Sequence, residues 1–197
     1  PPDNSQTKGA QVFGQKFLKL CCKSSVQRPL TSLRVTGRVI LLIGNHKMPH
    51  SDEYFMELAI EQAGIAQAKG EVPVGALFIE KDEVLAASGN ASIEGSDPTA
   101  HAEIMVMRKA AQLKGNYRLG GSVFVTLEPC LMCLGAMMHA RVERLVFGAH
   151  DHVSGAAVSV YNLAQSPHQN HRIEVIEGIL KRKCQTILKE FFQSKRQ

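Results

Sequence analysis

The chain has 197 residues, of which 44% are hydrophobic and 21% are charged, and its formal net charge is +5. Its length fits one domain with an extension, and its apolar content is enough for a buried core, which excludes a wholly disordered chain. Its apolar runs are all far shorter than the roughly 20 residues that cross a bilayer, which excludes a membrane-spanning protein.

The net charge is the sum of three unlike parts. Residues 1–47 carry eight basic side chains and one acidic side chain, a net charge of +7. Residues 180–197 carry six basic side chains and one acidic side chain, a net charge of +5, whereas residues 48–179 have a net charge of −7. A basic chain suggests a nucleic-acid partner, but here only the ends are basic, and each end needs its own explanation.

The first 47 residues differ in composition from the rest. They are rich in Ser, Thr, Gln and basic residues and show no sustained helical or alternating period. This composition fits an organellar targeting segment, a disordered tail or an upstream stretch wrongly joined to the gene. We expect a start or a processing point near Met48, and therefore a basic, disordered or non-native extension over 1–47 followed by one folded domain over 48–197.

Cysteine usage indicates the compartment. The chain has five cysteines, two of them adjacent at Cys21 and Cys22, which is a poor framework for disulfide bonds. A reducing environment is therefore expected, either the cytoplasm or, only if residues 1–47 are a transit peptide, an organelle.

The hydrophobic pattern predicts alternating helices and strands. Apolar residues recur at helical spacing over 52–69, and Gly70 follows them as a helix C-terminal glycine often does. Residues 72–79 are predicted to form a buried strand that turns at 81–82 into a hairpin partner over 84–87. After a loop, the remaining predicted elements are helix 102–114, strand 123–127, helix 130–140, strand 145–148, strand 173–176 and helix 179–192. This order predicts the fold class α/β, as a three-layer α/β/α sandwich with a mixed five-stranded sheet.

Two short motifs open predicted helices, His101-Ala102-Glu103 and Pro129-Cys130-Leu131-Met132-Cys133. Cysteines three residues apart in a first helical turn place both sulfurs on one side, where the helix N-terminus favours thiolates. Alone, this pair fits a redox dithiol or half of a structural zinc site. A structural zinc needs four protein ligands and the chain has no second such pair, while a redox dithiol leaves His101 and Glu103 unexplained.

Adding His101 to Cys130 and Cys133 gives three protein ligands and leaves a fourth position open for water, which is the catalytic arrangement of zinc. Two thiolates balance the charge of Zn²⁺ and weaken it as a Lewis acid, so a nearby base has to take the proton of that water. Glu103 is predicted to be this base rather than a ligand. The pattern His-x-Glu followed by Pro-Cys-x-x-Cys is the signature of zinc-dependent nucleobase deaminases.

Further motifs narrow the family, because the zinc motif alone is shared with cytidine, guanine and riboflavin-pathway deaminases. They are Glu71-Val72-Pro73-Val74-Gly75-Ala76, Asp97-Pro98-Thr99-Ala100, Asn116-Tyr117-Arg118-Leu119, Val125-Thr126-Leu127-Glu128, Val146-Phe147-Gly148-Ala149 with Asp151, Asn170-His171-Arg172, Gly178-Ile179-Leu180 and Phe191-Phe192. Through these motifs the chain resembles the bacterial tRNA-specific adenosine deaminases from about residue 52 to residue 196.

The resemblance implies hydrolytic deamination of adenosine to inosine at the wobble position of tRNA, most typically of an arginine tRNA. It also implies a cytidine deaminase-like fold, a homodimer with one zinc ion per subunit, a tRNA anticodon stem-loop as partner and a bacterial cytoplasmic location. By position it assigns the zinc ligands His101, Cys130 and Cys133, the proton-transfer residue Glu103, and the substrate-binding residues Asn90, Ala102 and Asp151.

The chain departs from the family pattern at three places. Leu134 replaces the small residue common after the second cysteine, as in guanine deaminases, and Val153 stands where a basic residue is usual. The segment 181–183, Lys-Arg-Lys, replaces a more acidic stretch, and its charge favours an RNA partner. Leu134 favours an alternative function, deamination of a free purine base such as guanine, which the later motifs and the basic C-terminal segment do not favour. A third hypothesis, a non-catalytic zinc-stabilised binding module, has no use for Glu103.

Overall fold

The computed structural model describes residues 50–196, so the extension predicted over 1–47 lies outside the described residues. Within that range, four helices and five strands follow the predicted order. In chain order they are α1 (Asp52–Ala68), β1 (Gly75–Glu80), β2 (Glu83–Gly89), α2 (Ala102–Lys114), β3 (Ser122–Leu127), α3 (Leu131–His139), β4 (Arg144–Ala149), β5 (Glu174–Glu177) and α4 (Lys181–Ser194). None of these helices has the length and apolar content to cross a membrane.

The five strands form one mixed sheet in the order β2-β1-β3-β4-β5. Strand β1 is antiparallel to both β2 and β3, whereas β3, β4 and β5 run parallel to one another. The predicted mixed five-stranded sheet is therefore confirmed. Because β3 and β4 are parallel neighbours, the loops that follow them emerge at the same edge of the sheet, and both reach the site described below.

Helices cover both faces of the sheet. Successive strand residues point to opposite faces, so that Phe78 packs with α2 and α3 while Leu77 packs with α1. On the α1 side, Phe55 contacts Phe124 with ring centroids 5.1 Å apart, and Cys184 of α4 is buried in the same cluster. The three-layer α/β/α sandwich predicted from the sequence is confirmed.

Local signals explain where the helices begin and end. The hydroxyl of Ser51 accepts a hydrogen bond of 3.3 Å from the Tyr54 amide and so caps α1. Gly115 ends α2 in the left-handed conformation, with φ +61°, which costs glycine little. The start of α1 is tied to β4 because Arg144 donates two hydrogen bonds, of 2.9 and 2.7 Å, to the Asp52 carboxylate.

The observed boundaries differ from the predicted ones in two informative places. Strand β1 begins at Gly75 rather than at residue 72, because Pro73 has no amide hydrogen and Val74 donates its own to Val72 at 2.7 Å. Helix α1 crosses β1 so closely that a Cβ on Gly75 would lie 2.1 Å from the Ala59 carbonyl oxygen. Helix α3 begins at Leu131, which makes Cys130 its N-cap residue rather than its first helical residue.

Candidate metal centre and substrate cavity

The N-termini of α2 and α3 meet at one point and bring the predicted zinc ligands together. His101 is the N-cap residue of α2, Cys130 is the N-cap residue of α3, and Cys133 is the third residue of α3. Neither side chain forms an N-cap hydrogen bond, and the two side chains approach each other to 3.7 Å. Segments almost 30 residues apart in the chain thus place one imidazole and two thiols together.

The distances between these donor atoms fit a tetrahedral zinc ion. Nδ1 of His101 lies 3.7 Å from the Cys130 sulfur and 3.5 Å from the Cys133 sulfur, and the three donor atoms all lie within 4.8 Å of one another. Zinc bonds to nitrogen and sulfur in tetrahedral geometry give donor separations of roughly 3.5–3.8 Å. No fourth protein ligand completes the group among residues 50–196.

The two thiols titrate very differently because they share a hydrogen bond. The hydrogen bond that Cys133 donates lowers the pKa of Cys130 to about 4, with a further contribution from His101. Donation of that bond, together with burial, raises the pKa of Cys133. The pKa of His101 is raised by its hydrogen bond to Cys130. The pair thus shares one proton, held by Cys133 and donated to the Cys130 thiolate, and a divalent cation bound by both sulfurs would have to replace that proton.

Glu103 lies in the first turn of α2 next to this group and is only 4% exposed. Burial raises the pKa of its carboxyl above the usual range because the charged form loses its hydration. It lines the same cavity as His101 and Cys130. A buried carboxyl with a raised pKa can both take up and release a proton, as a general acid–base catalyst must. We call His101, Glu103, Cys130 and Cys133 the floor of the cavity.

The cavity above the floor has a volume of about 260 Å³ and takes its side walls from two loops. We call residues 90–94 the first wall and residues 151–159 the second wall. Of the predicted substrate-binding residues, Asn90 and Asp151 lie in these walls, whereas Ala102 is fully buried and is not part of the lining. The cavity is lined by Glu71, Val72, Val74, Asn90, Ser92, Ile93, His101, Glu103, Leu127, Glu128, Cys130, Asp151 and Ser154.

The first wall is held by Glu71, which is fully buried. Its carboxylate accepts hydrogen bonds from the amides of Ile93 and Glu94, both at 2.8 Å, and from the side-chain nitrogen of Asn90 at 3.2 Å. Because a carboxylate can only accept, the Asn90 amide must present its nitrogen to Glu71 and its oxygen elsewhere. Sequence reasoning gave Glu71 no role, since a single glutamate ahead of a strand resembles a solvated residue.

The second wall is held by Glu128, which is 2% exposed. Its carboxylate accepts hydrogen bonds from the amides of Asp151, Val158 and Ser159, at 3.1, 2.8 and 2.8 Å, and from the Ser159 hydroxyl. The Asp151 carboxylate points into its own loop, where it accepts hydrogen bonds from the amide and the hydroxyl of Ser154. Sequence reasoning gave Glu128 no role either, because its hydrogen-bond partners lie 23 to 31 residues away along the chain.

Comparison with known proteins places the chain in a class. Residues 49–149, just over half of the chain, match the family described as the cytidine and deoxycytidylate deaminase zinc-binding region, and the chain belongs to this family. Zinc is thereby confirmed as the expected cofactor, and His101, Cys130 and Cys133 form a possible site for it. The cytidine deaminase-like fold implied by the resemblance is confirmed as well.

Within that class, the most informative relatives are tRNA-modifying enzymes. The chain is 45% identical over 148 residues to a tRNA-specific adenosine deaminase of Haemophilus influenzae, covering 74% of this chain and 86% of the relative. A solved structure from a study of A-to-I editing by tRNA:A34 deaminases aligns with a TM-score of 0.67 and 42% identity, covering 68% of this chain and 99% of that one.

A guanine deaminase is more distant. The structure of the enzyme from Bacillus subtilis aligns with a TM-score of 0.51 and 27% identity, covering 75% of this chain and 94% of that one. The recognised resemblance to tRNA-specific adenosine deaminases is therefore confirmed, and the guanine alternative is less well supported. The comparisons do not test the roles of single residues, which stay predictions.

Proposed function

We propose that this chain removes the amino group of adenosine at the wobble position of tRNA by hydrolysis, giving inosine and ammonia. The observation that carries the proposal is the floor of the cavity, where a buried acid–base residue, Glu103, lies beside an imidazole and two thiols. The similarity to tRNA-specific adenosine deaminases supplies the substrate. An arginine tRNA is the substrate that the family resemblance favours.

His101, Cys130 and Cys133 would hold the zinc ion, which, when bound, lowers the pKa of a water molecule so that it can be deprotonated at neutral pH. Glu103 accepts the proton of that water and delivers it to N1 of the adenine ring. The water oxygen bonds to C6, and Glu103 then takes the proton of the new C6 hydroxyl and passes it to the amino nitrogen. The C6–N bond breaks, so that adenosine and water become inosine and ammonia. The raised pKa of the Glu103 carboxyl suits a group that must both accept and donate.

Asn90 would recognise the target nucleoside. Its side-chain nitrogen is engaged by Glu71, so its oxygen is the group that faces a ligand in the cavity. Asp151, at the opposite wall, is the residue that the resemblance assigns to the neighbouring anticodon nucleotides. A base must leave its stack to enter a cavity of this kind, and the bases of a hairpin loop do so at low cost.

The basic α4 supports an RNA partner. Its first turn carries Lys181, Arg182 and Lys183, and of these Lys183 contacts Glu57 of α1. The side chains of Lys181 and Arg182 form no ion pair within residues 50–196, which leaves them available to phosphate groups. The Phe191 ring, by contrast, is buried and serves the core, while Phe192 is 47% exposed.

A homodimer is also part of the proposal. Leu113 and Tyr117 are 67% and 70% exposed, and beside Tyr117 lies an open cavity of about 440 Å³ that includes Ile104 and Met107. Such an apolar surface suits association with a second copy of the chain. Light scattering is expected to give the mass of a dimer, and Tyr117→Asp to shift it toward the monomer. The bacterial cytoplasmic location stays a prediction from the cysteines and the family.

One assay tests the function directly. The zinc-loaded chain is incubated with an anticodon stem-loop that carries a wobble adenosine and, separately, with free guanine. Inosine in the RNA and no xanthine are expected. Xanthine without inosine would contradict the proposal and favour the guanine alternative, and the absence of both products would favour the non-catalytic binding module.

A further inference from the structure

Glu128 is a buried carboxylate for which the proposed chemistry has no use. It lies two residues before Cys130 and is 2% exposed. None of the ion pairs formed by residues 50–196 includes it. A buried carboxylate without a cation is costly unless hydrogen bonds replace its hydration, so the donors around it reveal what it stabilises.

Every one of those donors comes from the second wall. Three backbone amides, those of Asp151, Val158 and Ser159, and the Ser159 hydroxyl point at the two carboxylate oxygens. Both ends of the second wall thus donate hydrogen bonds to the Glu128 carboxylate, which fixes the path of the loop between them.

The backbone around Glu128 is joined to the same loop. The Glu128 amide donates to the Ala149 carbonyl oxygen at 2.8 Å, and the Ala156 amide donates to the Pro129 carbonyl oxygen at 2.8 Å. Since Pro129 directly precedes Cys130, one continuous segment sets the position of a predicted zinc ligand and the position of the second wall. Displacement of one relative to the other is therefore resisted at several points.

Glycine at position 155 shows how closely the loop wraps the carboxylate. A Cβ there would lie 2.6 Å from a carboxylate oxygen of Glu128 and 2.3 Å from the Asp151 carbonyl oxygen. Both distances are too short for any real contact, so a residue larger than glycine does not fit at position 155 without displacing the loop or Glu128. Glu128 is therefore enclosed by the loop that it orders.

We propose that Glu128 is a positioning residue for RNA: its carboxylate holds the second wall at a fixed height above the zinc site, so that the wall meets the nucleotides beside the target base. This inference rests on the proposed function. Asp151 and Ser154 line the cavity mouth, while Val153 at the tip of the wall is 87% exposed and free to contact a ligand larger than the base. Glu128 bonds to the backbone of the wall and to no reacting atom.

Glu128 and Glu71 therefore have separable effects. Glu71 bonds the side chain of Asn90, which faces the target nucleoside, so its loss disturbs the base itself. The Glu128 carboxylate bonds only the second wall, so its loss weakens the binding of the flanking nucleotides and leaves the chemical step intact. Glutamine keeps the shape of Glu128 but must present an NH₂ group where the Asp151 or Ser159 amide now donates.

The test compares Glu128→Gln with the matched variant Glu61→Gln in the zinc-loaded chain. Glu61 has an exposed side chain on α1, outside the floor and both walls. Single-turnover kinetics on the anticodon stem-loop are expected to show a half-saturating concentration raised about tenfold or more in Glu128→Gln, with a maximal rate within about threefold of the wild type. Zinc content is expected to stay at one ion per chain, and Glu61→Gln to match the wild type.

Hydrogen exchange measured by mass spectrometry gives a readout that does not need activity. Faster exchange is expected in 151–159 of Glu128→Gln, with exchange in α3 unchanged. Ser159→Ala, which removes one donor and leaves the carboxylate, provides a milder second variant and is expected to show the same pattern more weakly. A fall in maximal rate at unchanged affinity, or unchanged exchange in 151–159, would overturn the inference. Wild-type chain that fails to convert the RNA contradicts the proposed function instead, and the exchange comparison still decides the role of Glu128.

Discussion

The floor and the walls of the cavity are built in opposite ways. The floor residues all lie at the first turns of α2 and α3, where the helix backbone sets their positions. The walls, 90–94 and 151–159, have no regular structure, and each is shaped by one buried carboxylate. The proposed chemistry would thus be carried by the most regular part of the fold, whereas the proposed recognition would be carried by loops whose shape depends on a single side chain.

The largest expected effect is on the floor, through Cys133→Ser. Removal of one of three ligands is expected to reduce bound zinc to a small fraction of one ion per chain and to abolish deamination, because serine oxygen is a poor ligand for this ion. Elemental analysis of the purified protein measures the zinc. Cys184→Ala is the matched control, since Cys184 is equally buried but lies on α4, away from the donors. Full zinc occupancy in Cys133→Ser would contradict the ligand assignment.

The next effect separates chemistry from metal binding on the same floor. Glu103→Gln is expected to lower the turnover rate by about 10³-fold, within the range for loss of a general acid–base group, while zinc content stays unchanged. Glu61→Gln, at an exposed carboxylate on α1 outside the cavity, is expected to keep wild-type turnover. Undiminished activity of Glu103→Gln would show that the proton takes another route.

A smaller effect is expected in the first wall. Asn90→Ala removes the side chain proposed to face the substrate and is expected to lower kcat/KM about 10- to 100-fold, with the floor and its zinc intact. Gln67→Ala serves as the control, because it removes an exposed amide on α1 outside the cavity. If Asn90→Ala lost its zinc, the walls would not be independent of the floor.

In the second wall, the stability of the folded protein is expected to depend on pH through the Asp151 carboxyl. Burial would raise the pKa of this carboxyl, but hydrogen bonds from Ser154 and Val153 outweigh burial and lower it below 3.8. Its stabilising contribution is therefore complete above about pH 3.8 and is lost as the pH falls through the lower folded value. Asp151→Asn is expected to reduce the free energy of unfolding by about 1 kcal/mol or less at pH 7. Urea titrations should show the difference disappearing in strong acid; a constant difference would contradict the assignment.

The smallest effect is expected outside both regions. Deletion of residues 1–47 is predicted to leave folding, zinc content and deamination of the stem-loop unchanged, because their composition resembles a tail rather than a core. Circular dichroism and zinc analysis of the truncated chain provide the measurement. Loss of soluble protein would show that this segment contributes to the folded domain.

The sequence predicts the floor well and the walls poorly, for a physical reason. Helix signals such as Gly115 and the spacing of Cys130 and Cys133 are local, and local pattern is what a sequence displays. The partners of Glu71 lie about 20 residues further along the chain, and only the folded backbone brings them together. Nothing in hydropathy distinguishes a fully buried glutamate from a solvated one, so both wall-holding carboxylates were overlooked.

The predicted start of the first strand at residue 72 is wrong for a related reason. Residues 72–74 are apolar and read as a strand, yet strand β1 starts only at Gly75. The amide of Gly75 donates to the Thr126 hydroxyl at 3.1 Å, a contact between segments 51 residues apart. Pairing with β3 and the close passage of α1, rather than the local apolar run, decide where β1 begins.

At the N-cap positions of α2 and α3, the residues that would best stabilise the fold differ from the residues that could bind a metal ion. A chain selected only to fold would place serine or aspartate at 101 and 130, where either residue would cap its helix and add about 1 kcal/mol. His101 and Cys130 give their helices no such bond. A zinc ion held by His101 and Cys130 would join the starts of both helices and so replace two missing caps with one shared anchor. Screening the metal-free chain for heat resistance should therefore select, at these two positions, variants that can no longer hold zinc.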